Sequence, residues 1–116
     1  MESHLYPKEE RLLNRKDFVN LNRVEKRYLT GHFTVFFKEN GLDVSRLGIT
    51  VSKKIGKAVK RNRIKRLLRE FFRLNKKIFP KGFDVVFIAN KGADNLIYWQ
   101  IQKELSEIII DKKSCL

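Results

Sequence analysis

Between Val59 and Asn75 the apolar residues fall at Ile64, Leu67, Leu68, Phe71 and Phe72. This is the i, i+3, i+4, i+7, i+8 spacing of a single helix face. At about 100° per residue, Asn62, Lys65, Arg66, Arg69 and Arg73 gather on the opposite side, while Arg61 and Arg63 flank the stripe. Such a segment has one way to fold. The stripe must be received by an apolar layer elsewhere in the chain, and the basic side must stay outward. Pro80 and Gly82 end the segment.

The charge around this helix narrows its purpose. Residues 53–81 carry thirteen Lys and Arg against Glu70 alone, a local excess of +12 in a chain whose net charge is +13. Residues 1–52 balance nine basic against seven acidic side chains, and residues 82–116 four against five. A solvated helix face normally mixes both signs. A concentrated positive field instead attracts a polyanion through many phosphate contacts, although an acidic membrane surface would also feel it. Just before the helix, Gly56 permits a tight turn, and Lys53, Lys54 and Lys57 cluster there. The helix N-terminus adds free N–H groups and a dipole that favours anions. Arginine can clamp a phosphate or stack on a base, lysine supplies a compact charge, and Asn62 offers a neutral donor–acceptor pair for a base edge or ribose hydroxyl.

The rest of the chain must supply the apolar layer. At 116 residues, 42% apolar and 11% aromatic, it reads as one folded domain, with flexible ends at about 1–8 and 112–116. His32–Lys38 alternates with Phe33, Val35 and Phe37 on one face and Thr34 and Phe36 on the other. Asn40-Gly41 marks a turn. Arg46–Ser52 sets Leu47, Ile49 and Val51 against Gly48, Thr50 and Ser52, and this small polar row is the side suited to water or a ligand. Phe83–Asn90 is almost wholly apolar, as befits a central strand covered on much of both faces. A short helix is predicted over Arg15–Val24, capped at Asn14 with Asp17 three residues on, and carrying Phe18 and Leu21 on one side. A last helix is predicted over Leu96–Asp111, capped by Asp94 or Asn95, with Tyr98, Ile101, Leu105, Ile108 and Ile109 buried and Trp99 beside that stripe. The order implies an α+β sandwich: a small central sheet with helices packed on its apolar face.

Other chemistries find little support. Cys115 has no partner for a disulfide, which fits a reducing compartment. The start of the chain lacks the apolar segment of a secretory signal, and no run reaches the length of a membrane span, so a cytoplasmic, soluble protein without a membrane partner is expected. His4 and His32 are isolated from metal-ligand spacings, the acids form no local dyad, and no phosphate-binding glycine loop occurs. No protein-borne catalytic or metal site is expected.

The stretch Val51-Ser52-Lys53-Lys54-Ile55-Gly56, Ala58-Val59 and Arg61-Asn62-Arg63-Ile64-Lys65-Arg66 with Arg69 resembles the protein subunit of bacterial ribonuclease P. The resemblance continues through Arg11-Leu12, Asp17-Phe18, Ile88-Ala89-Asn90-Lys91 and Leu96/Tyr98. It implies a ribosomal-protein-like fold with a left-handed βαβ crossover around the basic helix. It also implies a non-catalytic subunit of an endoribonuclease whose RNA, using magnesium ions, removes the 5′ leader of precursor tRNA. In that family the protein binds no cofactor tightly and needs no obligate protein partner. The resemblance assigns Lys53, Lys54, Lys57, Arg61, Asn62, Arg63, Lys65, Arg66 and Arg69 to the catalytic RNA. It assigns Phe18, Phe36, Thr50, Ser52 and Lys91 to a cleft for the leader of precursor tRNA. Two departures stand out: Asn22 where many members carry a second aromatic, and Phe36 in place of a common tyrosine. The rival reading is a ribosomal or general RNA-binding protein with no part in tRNA processing.

Overall fold

The computed structural model describes residues 26–113 and Leu116; the helix expected over Arg15–Val24, with Phe18, lies outside them. The described chain runs β1 (Lys26–Leu29), β2 (Phe33–Glu39), β3 (Arg46–Thr50), α1 (Ala58–Leu74), β4 (Phe83–Ala89) and α2 (Tyr98–Lys113), with single helical turns at Lys53–Ile55, Lys76–Ile78 and Ala93–Asn95. The strands form one mixed sheet in the order β1-β2-β4-β3. β2 pairs antiparallel with β1 and β4, while β3 and β4 are parallel neighbours joined through α1. This is the α+β arrangement the sequence implies.

Register explains which face holds the core. Phe37, Val85 and Leu47 line up across β2, β4 and β3, and Val35, Phe87 and Ile49 form the next row. These side chains face the helices and pack, Ile49 only half-buried, with Ile64, Leu68, Phe71 and Phe72 of α1 and Ile101, Leu105 and Ile109 of α2. The stripe on α1 therefore packs as its spacing predicts, with Leu67 half-buried at its margin. Phe71 and Phe79 stand 5.6 Å apart, Phe72 and Phe79 4.7 Å, and Phe79 and Phe87 6.1 Å, in tilted and edge-on pairs. These are favoured aromatic geometries, and they lock α1 to the strand that follows it.

The opposite sheet face carries Thr34, Phe36, Asp84 and Val86, all buried. The expectation that β4 is covered on both sides is thus met. Asp84 accepts from Arg46 Nε at 2.7 Å and Nη2 at 2.8 Å, and from Asn40 Nδ2 at 2.9 Å. A two-point ion pair across parallel strands fixes their register as well as contributing charge. Asn40 also accepts from the Leu42 N–H at 2.7 Å, closing the turn around Gly41 (φ 72°).

Two features depart from expectation. β1 has no counterpart among the strand signals of the sequence: four residues, KRYL, carry little alternation, and edge strands are commonly short and charged. The cap of the last helix also needs correction. Asp94 and Asn95 belong to the preceding turn, and α2 starts at Tyr98, two residues later than expected, and runs two residues past Asp111. Its first turn is closed instead by Gln100, whose Oε1 accepts the Ile97 N–H at 3.0 Å, one half of a capping box.

Candidate nucleic-acid interface

The interface starts in the turn between β3 and α1. Gly56 adopts φ 151°, ψ −163°, a conformation essentially reserved for glycine. The reversal brings Lys53, Lys54 and Lys57, all exposed, to the start of α1. The N-cap residue Lys57 makes no side-chain cap, and the first turn of α1 holds no acid. Helix starts are usually enriched in carboxylates that answer the dipole; here the positive end is flanked by lysines instead.

Along α1 the outward positions Asn62, Arg66 and Arg69 are exposed, and Lys65 is half-exposed. Lys53, Lys54, Lys57, Lys65, Arg66 and Arg69 have no ion-pair partner among the described residues. The flanking arginines are held. Arg61 Nε donates to the Gly56 carbonyl at 3.2 Å, and Arg63 Nη1 donates to the Asp94 carbonyl at 3.2 Å. Each has further guanidinium donors to direct outward. Farther along, Arg73 pairs with Glu70 at 3.0 Å, which neutralises the one acid of the segment. From Lys60 to Arg73 the helix thus presents cations along roughly 20 Å, two of its arginines being held near its start by backbone carbonyls.

The second group of residues lies on the far sheet face and at its rim. Thr50 stands beside Ile88 where β3 and β4 run in parallel, so Thr50, Ser52 and Lys91, all exposed, gather around the same ends of these strands. Asn90 ties this rim to β2 by donating to Thr34 Oγ1 at 3.2 Å. Phe36 lies on the same sheet face but is only 4% exposed. The Arg27 guanidinium sits 4.8 Å above its ring, a cation–π contact that occupies the surface a base would stack on.

Three local arrangements around the interface and α2 go beyond what the sequence specifies. Lys60 reaches Asp94 at 3.6 Å, so Asp94 holds both Lys60 and Arg63 and ties α1 to the turn before α2. His32, isolated in sequence, donates its backbone N–H to Glu104 at 2.7 Å and sets Nδ1 2.8 Å from the same carboxylate, which also accepts from Thr30. Burial works to raise the Glu104 carboxyl, but the hydrogen bonds from Thr30 and His32 and the His32 charge outweigh it and hold the group below 4.5. The Asp94 pairs span more than thirty positions and the Glu104 pairs more than seventy, and no local spacing announces them. Trp99, the third, is 71% exposed beside Tyr98.

No group of three or more His, Cys, Asp or Glu among the described residues is arranged to hold a metal ion, and no described helix is long and apolar enough to cross a membrane.

The chain matches the family model of ribonuclease P over residues 6–113. It is 48% identical over 102 residues to the ribonuclease P protein component of Syntrophus aciditrophicus, covering 88% of this chain and 86% of that one. To the corresponding component of Thermotoga maritima it is 41% identical over 108 residues, with 90% and 92% covered. Among solved structures, the Thermotoga maritima RNase P protein superposes with a TM-score of 0.81 at 40% identity, over 88% of this chain and 96% of that one. The Staphylococcus aureus RNase P protein also gives 0.81, at 34% identity, over 90% and 95%.

Proposed function

This chain belongs to the ribonuclease P protein family, and on that premise we propose that it works as the non-catalytic protein subunit of the ribonucleoprotein that removes the 5′ leader from precursor tRNA. α1 and its lysine turn hold the catalytic RNA. The observation that carries this reading is the row of six cations, Lys53, Lys54, Lys57, Lys65, Arg66 and Arg69, without ion-pair partners among the described residues. Holding like charges together, three on the turn and three on α1, is unfavourable unless a polyanion answers them. Arg61 and Arg63, braced on backbone carbonyls, set the direction of the phosphate contacts, and Asn62 between them meets a base edge or ribose hydroxyl.

The single-stranded leader lies along the other surface. Thr50 and Ser52 offer hydroxyls for ribose and phosphate oxygens, and Lys91 a charge. Phe18 and Phe36 offer rings for sequence-tolerant stacking, Phe36 once the Arg27 guanidinium turns aside onto a leader phosphate. In this reading the RNA subunit cleaves the phosphodiester with its own magnesium ions. No step runs through a metal held by the protein. The protein's part is to bind, orient and neutralise phosphates where two RNAs approach each other. The assembly acts in the cytoplasm.

The two surfaces are separable by mutation. Arg61→Ala or Arg66→Ala should weaken binding of the catalytic RNA while preserving the preference for leader-bearing over leaderless tRNA. Phe18→Ala or Lys91→Ala should do the reverse. If both classes lose the same property, the division into two surfaces is wrong.

A further inference from the structure

Trp99 is the one tryptophan of the chain, and it is exposed on the first turn of α2. A large aromatic left in water at the start of a helix calls for an explanation, because Ile101, Leu105 and Ile109 already supply that helix's buried stripe. Its placement supplies one. The neighbouring Tyr98 hydroxyl accepts from Asn75 Nδ2 at 3.1 Å, at the far end of α1, while the turn before α2 is bound to the near end of α1 through Arg63 and Asp94. The first turn of α2 is therefore braced along α1. Tyr98 meets the indole edge-on at 5.3 Å between ring centres, which limits its rotation.

The two flanks of α2 differ in charge. Glu104, Glu107 and Asp111 lie on the side of the β1–β2 turn, around a cavity of about 400 Å³ lined also by Thr30 and Gly31. At about 100° per residue Trp99 falls with Lys103 and Lys113 on the other flank, and Lys113 Nζ reaches the Lys77 carbonyl just beyond α1 at 3.3 Å. The acids of the α1 seam are answered already, Glu70 by Arg73 and Asp94 by Lys60. The indole thus lies on the flank of α2 that carries Lys103 and Lys113, away from Glu104, Glu107 and Asp111 around the cavity.

We infer that Trp99 is a stacking platform for one unpaired nucleotide of the RNA that α1 binds, with Lys103 available to the adjoining phosphate. A flat, rigid ring beside a row of cations is the arrangement that single-stranded nucleic acid recognises: phosphates on the charges, a base on the ring, with little sequence preference. The inference rests on the reading of α1 as the catalytic-RNA surface and extends that surface onto α2.

The lone tryptophan makes the test direct. The full-length protein is titrated with the ribonuclease P RNA of the same organism while indole emission is followed, and affinity is measured separately with labelled RNA. Emission should be quenched in step with binding. Trp99→Ala should bind roughly 5- to 150-fold more weakly with an unchanged salt slope, and Trp99→Phe should recover most of the loss. Unchanged emission at saturation, or Trp99→Ala binding within twofold of the unaltered protein, overturns the inference and leaves the reading of α1 standing. Failure of the unaltered protein to bind that RNA overturns both. Emission that shifts with protein concentration in the absence of RNA places a second copy on the indole and also overturns it.

Discussion

Consider the salt dependence of binding to the catalytic RNA. Each cation that neutralises a phosphate releases condensed counterions, so log K falls against log salt with a slope of about −0.7 to −0.9 per contact. Six cations on the turn and α1 lack ion-pair partners among the described residues. Six contacts give a slope of about −4 to −5.5, equivalent to roughly a 300- to 1,800-fold loss of affinity between 50 and 200 mM salt. Arg66→Ala or Arg69→Ala should each flatten the slope by about 0.7–0.9. Lys112 faces away, 5.1 Å above the Tyr28 ring and 3.3 Å from Asp111, and Lys112→Ala should leave the slope as it is. Filter binding or fluorescence titration at four or five salt concentrations suffices. A wild-type slope shallower than about −2 would refute the reasoning. So would arginine variants that lose affinity equally at every salt concentration.

Other consequences concern the frame that holds the interface. Phe71→Ala removes a fully buried ring that contacts Phe79 and Phe87; thermal or denaturant unfolding should register a loss of about 3–5 kcal/mol. Gly56→Ala forces a side chain into a conformation only glycine favours and should cost about 1–3 kcal/mol, with weakened RNA binding because the turn and the Arg61 brace shift together. Glu104 has a folded pKa held below 4.5. Its contribution to stability is therefore complete above the unfolded value and is lost as pH falls through the folded one. Melting curves of Glu104→Gln should lie below the unaltered protein at neutral pH, begin to close on it only as pH falls below the ordinary carboxylate range, and meet it once pH is below the lowered folded value; a constant gap down to pH 2 would contradict the assignment.

Much of this architecture was legible because the signals are periodic. The stripe from Ile64 to Phe72 and the alternation of Phe33, Val35 and Phe37 each report a burial pattern set by local geometry, and the sheet and α1 follow from them. The basic side of α1 was legible for the same reason, since a helix that buries one stripe must expose the other. What stayed hidden depends on distant pairs. Asp94 read as a helix cap because an acid before an apolar run usually is one, yet its partners Lys60 and Arg63 come from α1. His32 read as isolated because Glu104 is seventy-two positions away. Phe36 read as a stacking surface because of its position on the outer sheet face, and only the pairing of β1 with β2 sets Arg27 above it. β1 itself carries too few residues to announce a period.

The central claim is that this protein assists an RNA catalyst. The most direct measurement is precursor-tRNA processing at low magnesium, with the catalytic RNA alone, the protein alone and the two together. The account predicts slow or no cleavage by the RNA, none by the protein, and rapid release of the 5′ leader by the pair. Cleavage by the protein without RNA, or no gain when protein joins the RNA, would contradict it.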